Sequence, residues 1–175
     1  RRLLMIRILI IGASSGIGLE TARLALTKGF AVRALARSVD KMSLSDPSLE
    51  KFSADATNRE SLVRAVVGVD VVIQTLGVRV NELFGPVRLF SDSTKTLIPV
   101  MQTAGVKRLI CVTGFGAGDS DRAISWIERL PFNFFLGRAY QDKSRQEDLI
   151  RHSDLDWTIA RPGILTGGSR SGRYK

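Results

Sequence analysis

Cysteine is almost missing from this 175-residue chain: Cys111 stands alone, so no internal disulfide can form. It sits in the apolar run Leu109-Ile110-Cys111-Val112, where a thiol is expected to be buried and inert. Histidine is equally scarce. His152 is the single one, near an expected helix C-terminus where the dipole favours a cation. No cluster of cysteines, histidines or carboxylates has ligand spacing, so no metal site is expected. Long apolar runs are lacking too: nothing approaches the ~18 uninterrupted residues of a membrane span. Arg1-Arg2-Leu3-Leu4-Met5 has the look of a leader, but Arg7 breaks the run, which reads instead as a first strand. These features point to a cytoplasmic protein. Without repeats or low-complexity linkers, residues 1–175 read as one domain, long enough for a real core.

The charge balance is strongly one-sided, at +9 with a pI near 10.4. Such an excess raises the question of nucleic acid. The cations are scattered, however, with no lysine/arginine block and no aromatic-interleaved stripe. Nucleic-acid binding is therefore disfavoured, and a strongly anionic small ligand accounts for part of the excess.

What the chain does have is a glycine turn. The mostly apolar run from Ile6 to Ile11, with Arg7 its one charge, stops at Gly12, and Gly16 and Gly18 follow before an amphipathic stretch from Leu19 to Leu26. Strand, glycine turn and helix together lay a dinucleotide pyrophosphate across a helix N-terminus. Gly12 permits the sharp turn, Gly16 brings bare backbone to phosphate, and Gly18 lets the helix pack closely on the strand. Ser14 and Ser15 add hydroxyls around the same anion, beside Ile17. The competing reading is an ordinary tight turn. A second strand, Phe30 to Ala36, ends at Arg37-Ser38, where an acidic residue would mark an NAD site. Arg37 is a planar cation suited to a 2′-phosphate, which favours NADP(H) over NAD(H), unless it is simply a solvated surface arginine.

Strands and helices then alternate. Asp40 to Leu49 is turn-rich, with room for a short helix before Pro47, and Glu50 to Ala54 is a third strand leading to Asp55-Ala56-Thr57. Asn58 can cap a helix from Arg59 to Val67, stopped by Gly68. Val69 to Thr75 reads as a fourth strand buried on both faces. After a loop from Leu76 to Phe90, Ser91 or Asp92 caps a long helix ending at Gly105. Lys107 to Thr113 is the fifth strand, one or two helices fill 121–152, and Asp156 to Ala160 is the sixth strand. The expected fold is α/β, a doubly wound parallel sheet of Rossmann type in the order 3-2-1-4-5-6, with its ligand over the carboxyl ends.

Six segments in this order carry a resemblance: Gly12 to Gly18, Asp55-Ala56-Thr57, Thr75-Leu76-Gly77, Gly105 to Ile110, Val112-Thr113-Gly114 and Leu155 to Gly163. The chain resembles the atypical NAD(P)H-binding branch of the short-chain dehydrogenase/reductase superfamily. That branch includes flavin- and biliverdin-reductase-like proteins and redox-sensing relatives of the NmrA type. The resemblance implies that Asp55 and Ala56 meet the adenine, although Asp55 also suits the first turn of the next helix. Thr75, Leu76 and Gly77 would also meet the cofactor, with Gly77 letting adenosine lie against bare backbone. Pro162, Gly163 and Ile164, after Arg161, would meet the nicotinamide carboxamide, and Pro162 would also end the sixth strand. Proteins of the branch run on with a further helix and strand, so the resemblance places substrate-pocket elements beyond residue 175.

Reductases of the superfamily pair a tyrosine acid with a lysine four residues later, and a serine or threonine after strand five orients the carbonyl. The lysine falls on Lys143, the hydroxyl on Thr113. The tyrosine slot is Ala139, with Tyr140 one residue on, a helical rotation of about 100°. Three outcomes stay open. Lys143 and Thr113 hold cofactor and substrate while hydride passes to a flavin- or quinone-like acceptor. Alternatively, Tyr140 reaches the site and a carbonyl is reduced. Or the domain binds NADP(H) without turnover and reports to a protein partner, as monomer or homodimer. Trp126, Phe132, Phe134, Phe135 and Leu136 form the most aromatic stretch and could wall a planar substrate, or pack between helices. The loop containing Arg79, Asn81 and Phe84 is placed to close over nicotinamide, and Gly116 and Gly118 mark a flexible rim.

Overall fold

Alternation of side chains along the strands sets the layers. The structure, a computed structural model, describes residues 5–78, 86–114 and 126–163, and for 126–136 the backbone alone. The strands are β1 (Arg7–Ile11), β2 (Ala31–Ala36), β3 (Leu49–Ser53), β4 (Val71–Gln74), β5 (Arg108–Val112) and β6 (Asp156–Ala160). They pair in parallel in the order β3-β2-β1-β4-β5-β6, as the sequence predicts. In β1, Ile8 and Ile10 face one way and Leu9 and Ile11 the other, each joining a different buried cluster. That period of two, apolar on both faces, is what a central parallel strand requires.

The helices are α1 (Gly16–Thr27), α2 (Arg59–Ala65), α3 (Leu89–Ala104) and α4 (Trp126–Arg151), with a short 3-10 turn at Val39–Lys41. Ala22 and Ala25 of α1 cover the Ile8 and Ile10 face. Leu62 of α2, Leu97 and Met101 of α3 and Ile150 of α4 cover the opposite face. The stretch left open as one or two helices is a single helix over 126–151. Cys111 is fully buried, and burial pushes its thiol up to about 12.

Local capping behaves as expected at α2, where Asn58 Oδ1 accepts from the Ser61 amide at 2.8 Å. At α3 the expectation needs correction. The helix starts at Leu89, before Ser91 or Asp92 could serve as N-cap, and its N-cap residue Arg88 makes no side-chain cap. Asp142 of α4 does this work instead. Its carboxylate accepts from the amides of Phe90 at 2.9 Å and Ser91 at 3.2 Å, and from the Ser91 hydroxyl. A buried negative charge at a helix N-terminus satisfies orphan donors and complements the dipole.

Candidate cofactor site

The carboxyl ends of β1 and β4 diverge into helices on opposite faces, the switch point where such sheets bind ligands. Backbone closeness there is severe. Gly12 has φ +89°, and a Cβ on it would lie 2.7 Å from the Thr75 carbonyl oxygen. A Cβ on Gly18 would lie 2.2 Å from the Gly12 oxygen and 2.6 Å from Thr75 Oγ1. Thr75 Oγ1 donates to the Ile11 carbonyl at 2.9 Å, tying β4 to the turn. Gly18 thus packs helix on strand, as expected, and does not itself line the cavity in front.

That cavity, of about 630 Å³, gathers segments from four strand ends. Gly12, Ser14, Ser15, Gly16 and Ile17 form its floor; Arg37, Ser38 and Lys41 follow β2; Asp55 and Ala56 follow β3; Thr75, Leu76 and Gly77 follow β4. Lys143 reaches in from α4. At the floor, the position a Gly16 Cβ would take is open space. Ser15, the N-cap of α1, bonds no helix amide with its side chain, and the first turn holds no acidic residue. The positive end of α1 is therefore left to an anion.

Asp55 Oδ1 accepts from the Thr57 amide at 2.8 Å and the Thr57 hydroxyl at 2.7 Å. These bonds hold its carboxyl below the usual carboxylate value, with a further pull from Arg37. Asp55 thus lines the cavity and also shapes the turn into α2.

Around β5 the side chains are arranged differently from expectation. Lys143 Nζ donates to the Thr113 carbonyl and stands 4.9 Å from the centre of the Phe90 ring. Burial pushes its pKa down, against the opposing influence of Cys111 and Glu147. The resemblance implies a Thr113 hydroxyl that meets substrate. Instead the hydroxyl donates to Glu147 Oε1 at 2.7 Å, and Thr113 is buried and absent from the cavity lining. Tyr140 does not line the cavity either. Its hydroxyl oxygen lies 3.0 Å from where a Gly114 Cβ would be, and burial raises its pKa. The one-residue offset carries the phenol onto Gly114 while Lys143 takes the neighbouring carbonyl. Pro162 and Gly163 follow β6 outside the cavity lining. Ile164, the loop residues Arg79, Asn81 and Phe84, Gly116 and Gly118 lie outside the described residues, as do the side chains of Trp126, Phe132, Phe134, Phe135 and Leu136.

Sequence reasoning missed Ser38 and Lys41, although Lys41 stands one short turn after Arg37. It also missed Glu147, which was signalled by polar residues at helical spacing (Asp142, Gln146, Glu147) on a face otherwise carrying Ala139 and Ile150.

Residues 12–175 match the model of a family described as NAD(P)H-binding. The chain belongs to that family. An uncharacterized chloroplastic protein of Arabidopsis thaliana is 27% identical over 95% of this chain and 61% of its own length. The photosystem II assembly factor Ycf39 of Cyanophora paradoxa is 27% identical over 87% of the chain and 43% of its own. The chain thus spans about three fifths of the Arabidopsis relative's length. Among solved structures, ChuY of Escherichia coli O157:H7, an anaerobillin reductase, is 28% identical with a TM-score of 0.77, over 95% of this chain and 77% of ChuY. The glycine turn, the uncapped N-terminus of α1 and the cavity of about 630 Å³ fit the family's dinucleotide. Among the described residues, no helix is long and apolar enough to cross a membrane.

Proposed function

We propose that the chain is an NADP(H)-dependent oxidoreductase passing hydride to a planar or carbonyl-type small molecule, with flavin- or quinone-like acceptors favoured. The carrying observation is the single cavity that joins the glycine turn to Arg37, Asp55 and Lys143. In this reading the α1 N-terminus holds the bridging phosphates. Arg37, Ser38 and Lys41 hold the 2′-phosphate, two cations being better matched to that dianion than to a bare ribose hydroxyl. Asp55 and Ala56 take the adenine, and Lys143 takes the nicotinamide ribose. When bound, the nicotinamide supplies the hydride. Thr113 contributes its carbonyl, which holds Lys143, rather than its hydroxyl. An acceptor that needs no tyrosine acid suits a site whose phenol lies outside the cavity lining and has a raised pKa. The similarity to ChuY supports a reductase, and the lone buried cysteine suits a reducing compartment.

The test is NADPH oxidation by purified protein with flavins, quinones and aldehydes in turn. Saturable turnover abolished by Lys143→Ala supports the reading. Tight binding without turnover supports the second reading, a redox-reporting domain that acts on a protein partner. That reading draws on the Thr113 hydroxyl, which is bonded to Glu147, and on the likeness to an assembly factor.

A further inference from the structure

Glu147 is a buried carboxylate bonded by both Thr113 and Arg161, and nothing in the reaction proposed above uses it. Its side chain is 0% exposed. Oε1 accepts from the Thr113 hydroxyl at 2.7 Å and from Arg161 Nε at 3.0 Å. Oε2 accepts from Arg161 Nη2 at 2.5 Å, and Arg151 Nη2 stands 3.7 Å away. The two-pronged Arg161 contact is the strong, directional form of a carboxylate–guanidinium pair. It joins α4 to the chain just past β6, while the Thr113 bond joins α4 to the chain just past β5. Burying such a pair gains little net stability over an apolar replacement, so its presence one helical turn from the cavity-lining Lys143 invites a functional account. Lys143 lies one helical turn before Glu147, and its ammonium rests on the carbonyl of the same Thr113 whose hydroxyl Glu147 holds.

We propose that Glu147 is a positioning residue: it fixes Thr113 and the end of β6 from within, and so sets where Lys143 stands. The proposal rests on the reading of Lys143 as a cofactor ligand. Other titratable groups do not replace Glu147 in this role. Asp142, adjacent in the chain, is turned to the α3 N-terminus. Cys111 on β5 is held protonated by burial. Tyr140 rests against Gly114, α3 offers Lys143 the uncharged face of Phe90, and Arg161 from β6 bears on Lys143 by way of Glu147.

Acetic anhydride trace labelling of the full chain without cofactor, followed across pH by mass spectrometry, reads Lys143 directly. In Glu147→Gln the labelling midpoint of Lys143 is expected to move to lower pH, since a neighbouring negative charge is gone, and Glu147→Asp returns it towards the original value. An unmoved midpoint in folded Glu147→Gln protein overturns the proposal. Should that variant not fold, Thr113→Val keeps shape and carbonyl but cuts the Glu147 link. Lys143 there should acetylate about two- to tenfold faster at pH 7, the scale of one hydrogen bond, and an equal rate overturns the proposal. Calorimetry with NADPH separates the layers. A wild-type protein that gives no heat defeats the cofactor reading, whereas the labelling still judges the link from Glu147 to Lys143.

Discussion

A methyl group at position 18 would sit 2.2 Å from the Gly12 carbonyl oxygen and 2.6 Å from Thr75 Oγ1. The first obstacle is backbone, which cannot swing aside, so the helix must lift from the strand. Gly18→Ala should therefore cost about 2–4 kcal/mol, the range of severe overpacking and strain, read as a fall in the urea midpoint. Gly16→Ala meets open space and only the strain of φ +54°, so it should cost about 1–2 kcal/mol. If the two variants prove equally stable, the close approach of α1 to β4 is not what position 18 secures. Arg37 makes a different kind of prediction. Arg37→Asp should weaken NADPH binding by ~1–3 kcal/mol, the worth of a charge-assisted hydrogen bond, while sparing NADH. Lys41→Ala should do the same to a smaller extent, because a flexible ammonium holds phosphate as a point charge without the guanidinium fork. Calorimetry with both cofactors decides. Equal losses for NADPH and NADH would remove the assignment of these cations to a 2′-phosphate.

At the scale of elements, α3 depends on α4 for its cap. Asp142 is fully buried and supplies the acceptors for the Phe90 and Ser91 amides and the Ser91 hydroxyl. Asp142→Ala should lower stability by about 2–3 kcal/mol, combining a lost cap with unsatisfied buried donors. Urea unfolding at neutral pH checks this, and a loss under 1 kcal/mol would show that the capping bonds are replaceable. The same pair of helices marks how far the sequence could be read. The strands were legible because central parallel strands are unbroken apolar runs, and α2 was legible because Asn58 caps a helix only one residue away. The partner that caps α3 lies 51 or 52 residues downstream, and no local pattern announces it. The glycine turn and Arg37 were picked out by their places at strand ends and Asp55 by the resemblance, and all of them line the cavity. The direction of the Thr113 hydroxyl was not legible, because which way it donates depends on Glu147, 34 residues on and brought near by packing. Position along the chain identified the strand ends that carry the site. Only packing shows which of their side chains face it.

For the whole molecule, buried titratable groups set the response to alkali. In the unfolded chain the Cys111 thiol loses its proton near 9.0, whereas burial in the fold holds it until about 12. Between these values the folded state binds the extra proton, so stability falls as pH rises, by ~1.4 kcal/mol for each pH unit above 9. Lys143 acts in the opposite sense. Its pKa in the fold is below the 10.5 of an unburied lysine, so between that lowered value and 10.5 the unfolded chain binds the extra proton and stability rises with pH. On the acid side, Asp55 contributes stability above 3.8 that is lost as pH falls through its lowered folded value. Comparing Cys111→Ala with the parent reads chiefly the thiol, together with a smaller change at Lys143, whose titration the thiol influences. At pH 7 the variant should be weaker by about 1–2 kcal/mol, the cost of a small cavity. From pH 9 to 10.5 the gap should close and then reverse, because the parent alone carries the thiol penalty. Denaturant titrations at pH 7, 9 and 10.5 measure it. A gap that stays constant would mean that the Cys111 thiol ionises equally easily in both states, and that the sheet around β4 and β5 is open to water.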